Sequence, residues 1–222
     1  MSNKMPVIAI DGPAASGKSS TARAVAERLG LVHLDSGALY RLATMVALRS
    51  RLRDPAEIVA ALERHDVRLA RDGNSMALSL DGDPVEPDIR SPAVNAAVSE
   101  IAAMPEVRNW VNARLRAAVL EWGRVVMDGR DIGTDVFPDA ELKVFLTASA
   151  EERARRRLRQ VGRDTDPDAV AMEAGELAER DRRDAAREVA PLRQADDARL
   201  LDTTELTFEQ QVATILGWVA AA

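Results

Sequence analysis

The chain has 222 residues, enough for one globular core with insertions or at most two small domains, and 46% of them are apolar. It has no cysteine, which excludes disulfides and thiolate metal sites, and its 30 basic against 36 acidic residues give a net charge of −6, which argues against a general nucleic-acid binder. No apolar run approaches the ~18 residues of a membrane span and the N-terminus lacks a signal-like stretch, so the expectation is a soluble, cytoplasmic protein.

In chain order, PVIAID (6–11) predicts a first strand and GPAASGKSS (12–20) follows it. A helix over about 18–29 closes at Gly30, where a left-handed residue commonly ends a helix. LVHLD (31–35) predicts a second short strand. VRLARDGNSMALSLDGDPV (67–85) alternates apolar and polar residues around DGN and DGDP turns, the mark of a hairpin or three-stranded antiparallel sheet inserted into an α/β core. Pro105 suits the first position of a helix running to about Trp122, with Val107, Val111, Leu115, Ala118 and Trp122 as its apolar stripe and Gly123 as its stop. RVVMD (124–128), LKVFL (142–146) and ARLLD (198–202) complete a set of five strands. The arginine-rich stretch 151–163 begins another helix and runs into RDTDPD, read as a mobile loop, while Thr207 with Gln210 makes a capping box for the last helix. Strands alternating with helices give an α/β fold, a three-layer core around a parallel five-stranded sheet.

Gly12, Gly17, Lys18 and Ser19 satisfy G-x-x-x-x-G-K-[ST] between an apolar strand and an amphipathic helix, the context that makes a P-loop. Gly12, Pro13, Ala14, Ala15, Ser16, Gly17, Lys18, Ser19 and Ser20 are then expected to cradle ATP, with Lys18 on the β- and γ-phosphates and Ser19 on Mg2+. A P-loop alone does not separate a GTPase, a motor ATPase and a small-molecule kinase. The chain has no N-K-x-D tetrapeptide and is short for a motor. Its clustered arginines, EERARRRLRQVGR at 151–163 and RDRRDAAR at 180–187, suit two anionic substrates brought together.

Three further stretches admit two readings each. DSGALYR (35–41) is either an acceptor-site entrance with Ser36 and a phosphate-binding Arg41, or a helix N-cap beside a solvated arginine. MDGRDIG (127–133) puts Asp128, Arg130 and Asp131 at the C-terminal end of a strand, where open α/β sheets bind ligands. Asp128 would accept from a Mg2+-bound water and Arg130 and Asp131 would face a substrate; the alternative is a polar turn. Arg180, Asp184 and Arg187 stand at i, i+4 and i+7, one helix face that either grips a phosphate and a sugar hydroxyl or carries solvated ion pairs. Arg155, Arg156 and Arg157 pose the same choice. His33 and His65 have no partner at metal-ligand spacing and read as ordinary residues.

IDGPAASGKSS, LDSGALYR, DGRDIGTDVFPDA, RDRRD…R…APL and LLDTT stand in this order, and together the chain resembles the bacterial cytidylate kinases, of the nucleoside monophosphate kinase family, over nearly its whole length. The resemblance implies phosphorylation of CMP and dCMP by ATP with Mg2+ as cofactor. It also implies small-molecule substrates as the only partners, no nucleic acid, no membrane, and a monomer. By the same resemblance Ser99, Arg108 and Asp131 read the cytosine edge, Arg41, Arg130 and Arg187 hold the acceptor α-phosphate, and Arg180 with Asp184 contacts sugar and phosphate. The arginine-rich segment becomes a lid over ATP, with Arg157 joining Lys18, Arg130 and Arg187 in catalysis, although spacing does not rank Arg153 through Arg159. Ser20 departs from the family loop, which more often has threonine there. The implied organisation is a core of about 1–36, 124–150 and 188–222, an acceptor-binding region of about 37–123 with its β insertion at about 66–86, and a lid of about 151–180. The alternatives are a kinase for another nucleoside monophosphate or shikimate, and a P-loop nucleotide switch.

Overall fold

A computed structural model describes residues 4–221. The first half of the chain forms β1 (Met5–Asp11), α1 (Lys18–Leu29), β2 (Val32–Asp35), α2 (Ser36–Ser50), α3 (Pro55–Arg64), β3 (Val67–Asp72), β4 (Ser75–Leu80), β5 (Asp83–Pro84) and α4 (Pro92–Ile101). The second half forms α5 (Pro105–Trp122), β6 (Val125–Gly129), β7 (Ala140–Thr147), α6 (Ala150–Gln160), α7 (Pro167–Ala185), β8 (Arg199–Asp202) and α8 (Phe208–Ala220).

Residues Val7 to Ile10 of β1 have no solvent exposure, which is why their sequence is an unbroken apolar run rather than an alternation. Their side chains still alternate in direction. Val7 and Ala9 join Leu34, Met127 and the buried faces of α2, α3 and α5, while Ile8 and Ile10 join Val126, Val144 and the buried faces of α1 and α8. The expected five parallel strands are present in the order β2, β6, β1, β7, β8, with helices on both faces. Register then decides where the site lies. Ile10 pairs with Asp128, Asp11 with Gly129 and Asp35 with Asp128, so β1, β2 and β6 end level and release their loops at one edge.

Local signals in the sequence match the helix ends they pointed to. Helix α1 spans Lys18–Leu29 and ends on Gly30 at φ 66. Helix α5 begins at Pro105, buries Val107, Val111, Leu115 and Ala118, and stops at Gly123. Thr207 and Gln210 exchange both bonds of the capping box.

Two features differ from the sequence reading. The antiparallel insertion β3–β4–β5 is not a separate sheet but extends the main one, through a parallel bridge between His33 and Ser75. The His33 N–H donates to the Asn74 carbonyl at 2.9 Å, and the Asn74 amide donates to the Leu31 carbonyl at 2.8 Å. Without these bonds β2 would present an unpaired edge. Second, Arg187 does not lie on a helix face with Arg180 and Asp184, because α7 ends at Ala185. There the Asp184 carbonyl accepts from the Leu192 N–H at 3.0 Å, so the chain turns back instead of continuing the helical ladder.

Glycine at position 12 is a packing requirement. A Cβ there would lie 2.0 Å from the Leu146 carbonyl oxygen, at φ +155. Gly12→Ala is therefore expected to cost more than about 2 kcal/mol of stability in urea unfolding; a change within about 0.5 kcal/mol would mean that β7 yields without penalty.

Candidate active site

The loop between β1 and α1 delivers Gly17 in a left-handed conformation at the start of α1, and no side chain among the described residues caps that helix. Its leading N–H groups are therefore available to an anion, favoured further by the helix dipole. The Lys18 ammonium donates to the Pro13 carbonyl across the loop at 3.1 Å. Burial, then the nearby Arg130 charge, push the Lys18 amine down to about 7. A polyphosphate is the partner that would restore its charge. At the end of β1, Asp11 accepts from the N–H groups of Ile132 at 2.9 Å and Gly133 at 2.7 Å. Burial dominates there and raises the Asp11 carboxyl to about 7.

Asp128, at the end of β6, is the hub beside this loop. The Ser19 hydroxyl donates to its Oδ2 at 2.6 Å, the His33 ring meets its Oδ1 at 2.7 Å, and the Ser36 hydroxyl donates to its backbone carbonyl at 2.7 Å. Burial alone would raise this carboxyl, but the His33 bond and the Lys18 charge outweigh it and hold it below the ordinary range. His33, which sequence spacing did not connect to any partner, is thus bonded to Asp128 from the neighbouring strand.

A single cavity of about 910 Å³ runs from this loop across the sheet edge. Of the expected loop residues, Ala14, Ala15, Gly17, Lys18, Ser19 and Ser20 line it. Ser36, Arg41, Ser99, Arg108, Asp128, Arg130, Asp131, Arg157, Arg180, Asp184 and Arg187 all reach the same space. In the stretch 35–41, Asp35 caps α2 by accepting the Ala38 N–H at 3.2 Å, while Arg41 is not a solvated arginine but a half-buried one that lines the cavity.

Buried carboxylates hold the cations in place. Asp184 accepts from Arg130 Nε at 3.0 Å and binds Arg187 with its other oxygen. Burial works against its charge, yet Arg130 and Arg187 keep its carboxyl below the usual range. Arg180 has a buried Nε without a partner among the described residues, and burial followed by the Arg130 and Arg41 charges pushes its pKa down to about 10. Such a group gains strongly from a phosphate. At the far end, Arg108 pairs with Asp131, donates to the Ala102 carbonyl at 3.1 Å and lies 5.5 Å from the centre of the Tyr40 ring. Burial raises the Asp131 carboxyl, with Arg108 opposing it.

The arginines of α6, which spacing left unranked, separate by what they touch. Arg153 donates to the Ala14 carbonyl at 3.1 Å, and Arg156 to the Ser16 carbonyl at 3.3 Å and the Thr203 carbonyl at 2.8 Å. Arg155 pairs with Glu151 on the surface. Arg157 is the member of this group that lines the cavity. Sequence reasoning missed Asp11 and Asp181, and did not single out Arg153 from its neighbours, as residues that hold the loops around the site. The one available signal was Asp11, a carboxylate at the end of an apolar strand directly before the loop glycine.

Comparison with known proteins now bears on this geometry. A family model described as Cytidylate kinase matches residues 8–221. The chain belongs to the cytidylate kinase family. Within that family, the cytidylate kinase of Pseudomonas aeruginosa (strain LESB58) is 48% identical over 231 residues, covering 98% of this chain and 99% of that protein. The cytidylate kinase of Lactococcus lactis subsp. cremoris (strain MG1363) is 46% identical over 211 residues, covering 94% of each. The crystal structure of an uncharacterized protein from Eubacterium ventriosum ATCC 27560 shares the fold at TM-score 0.52 and 12% identity, covering 97% of this chain and 99% of that one. Among the described residues of this family member, no helix is long and apolar enough to cross a membrane.

The buried lysine makes a prediction for stability. With its pKa near 7 when folded against 10.5 for a free lysine, Lys18 binds fewer protons folded than unfolded between those values. Its contribution to stability therefore rises with pH across that window, and its cost is fullest below pH 7. Lys18→Met should be more stable than the parent at pH 6 by at least about 1 kcal/mol in urea unfolding, with the gap closing toward pH 10. A gap that does not vary with pH would mean that the folded lysine titrates normally.

Proposed function

We propose that the protein transfers the terminal phosphoryl group of ATP to CMP and dCMP, with Mg2+, in the cytoplasm as part of pyrimidine nucleotide metabolism. The observation that carries this reading is one cavity joining a P-loop to an arginine-rich wall that ends in the Arg108–Asp131 pair. Family membership supports the same substrate class.

In this reading the nucleophile is an α-phosphate oxygen of CMP. A phosphate monoester has a second pKa of ~6, so its oxygen is ionised at neutral pH and needs no general base. The new bond forms from that oxygen to the γ-phosphorus, the bond to the β,γ-bridging oxygen breaks, and ADP leaves with the electron pair. The residues then work by positioning and charge. Arg41, Arg130 and Arg187 hold the acceptor phosphate, Arg180 and Asp184 contact sugar and phosphate, and Lys18 and Arg157 meet the charge on the transferred group. The Ser19 hydroxyl beside the ionised Asp128 suits Mg2+, which takes few protein ligands and completes its shell with phosphate oxygens and waters. When bound, Mg2+ neutralises charge on the β- and γ-phosphate oxygens.

Base choice follows from hydrogen-bond polarity. Asp131, paired with Arg108 in the cavity that Ser99 also lines, would accept from the cytosine amino group, whereas the uracil carbonyl would meet it acceptor to acceptor. Region 37–123 is proposed to bind the acceptor and 151–180 to close over ATP, on a core of 1–36, 124–150 and 188–222 that acts as a monomer.

The test is a coupled ADP assay of the purified protein with Mg·ATP and a panel of CMP, dCMP, UMP, AMP and shikimate. Turnover of CMP and dCMP is expected; turnover of neither removes the proposal. In the same assay, Asp131→Ala removes the acceptor that the cytosine amino group would use. The CMP-over-UMP ratio of kcat/KM should fall at least about 10-fold, and an unchanged ratio would take Asp131 out of base reading.

A further inference from the structure

Asp181 sits on α7 next to Arg180, yet it faces the other way. One of its oxygens accepts the Ala14 N–H of the phosphate loop at 2.9 Å, and the other pairs with Arg153 of α6. Arg153 returns to the same loop residue by donating to the Ala14 carbonyl at 3.1 Å and is anchored by the Ala148 carbonyl at 3.2 Å. Both backbone polar groups of Ala14 are thereby held from the α6–α7 hairpin. The next residue, Ala15, stands at φ 57, a left-handed conformation that an alanine keeps only when its surroundings enforce it. Ala14 also packs with Ala154, Leu158, Val170 and Leu177 of that hairpin.

Helix α7 thus carries the loop anchor Asp181 and the cavity-facing Arg180 and Asp184 within little more than one turn. We propose that Asp181 is a positioning residue that holds the phosphate loop in its anion-binding shape and, through α7, makes donor binding and acceptor binding interdependent. The inference rests on the nucleotide reading of the site. Filling the loop with a triphosphate favours the clamped arrangement, and the clamped arrangement sets Arg180 and Asp184 for the acceptor. By linkage the acceptor must favour donor binding by the same factor. Asp181 bonds to Ala14 and Arg153 and is not among the residues that line the cavity, so in this proposal it acts through those two partners.

The experiment is calorimetric titration of CMP into the full chain, with and without a saturating non-hydrolysable ATP analogue and Mg2+. The parent should bind CMP about 10-fold tighter with the analogue present. Asp181→Asn keeps an acceptor for the Ala14 N–H but removes the charge facing Arg153, and Arg153→Met removes the other side of the clamp. Each should cut the ratio of the two CMP dissociation constants to less than about 2-fold while leaving CMP affinity without the analogue within about 2-fold of the parent. A merely structural role would lower the melting temperature without changing that ratio. Variants that keep the parental ratio overturn the proposal, as does a parent that binds both nucleotides without linkage, which leaves the functional reading intact. A parent that binds neither nucleotide overturns both.

Discussion

Guanidinium groups crowded into one cleft repel each other, and a site that binds two phosphorylated molecules needs them crowded. Two unit charges 4 Å apart repel by about 4 kcal/mol at an effective dielectric near 20, a large sum against the stability of a small protein. The fold meets this constraint by placing a carboxylate at each junction, with Asp131 and Asp184 buried and Asp181 half-buried. Asp184 stands between Arg130 and Arg187, Asp131 against Arg108, and Asp181 against Arg153. Each acidic residue is committed to its arginine, so the remaining guanidinium surface points into the cavity with a net positive field. An overall charge of −6 is compatible with that local field because the balance is struck residue by residue.

The sheet makes this arrangement geometrically possible. Three strands that end level put the phosphate loop, the start of α2 and the Asp128–Asp131 turn side by side, although they are far apart in sequence. Asp11 then ties two of these loops together from below through the N–H groups of Ile132 and Gly133. Its burial raises its pKa, and a carboxyl with that bias survives there because two backbone donors satisfy it.

What was legible in the sequence was what is encoded over a few residues. The loop motif, the stop at Gly30, the start at Pro105 and the capping box at Thr207 each depend on neighbours within a turn or so, and each stands where the residues said. The contacts that were not legible run across the chain. Asp181 reaches a loop 167 positions away, Arg153 one 139 away, and Asp128 is joined by His33 from 95 away. No periodicity carries such information. Arg187 shows the complementary failure, since helical spacing was extended past the point where Leu192 captures the Asp184 carbonyl. The α6 arginines were alike in spacing and differ only in which backbone carbonyl lies within reach.

The Asn74 junction has a consequence for the protein as a solute. By joining the hairpin to β2, it moves the outer boundary of the sheet from a core strand to β3, on which Arg68, Arg71 and Asp72 are exposed. At the opposite side the boundary is β8, a strand of only four residues that begins with Arg199 and ends with Asp202. Strand addition between molecules needs a long, flat, apolar edge, and neither boundary provides one. The same insertion that walls the cleft therefore also protects a Val- and Ile-rich parallel sheet from associating with copies of itself.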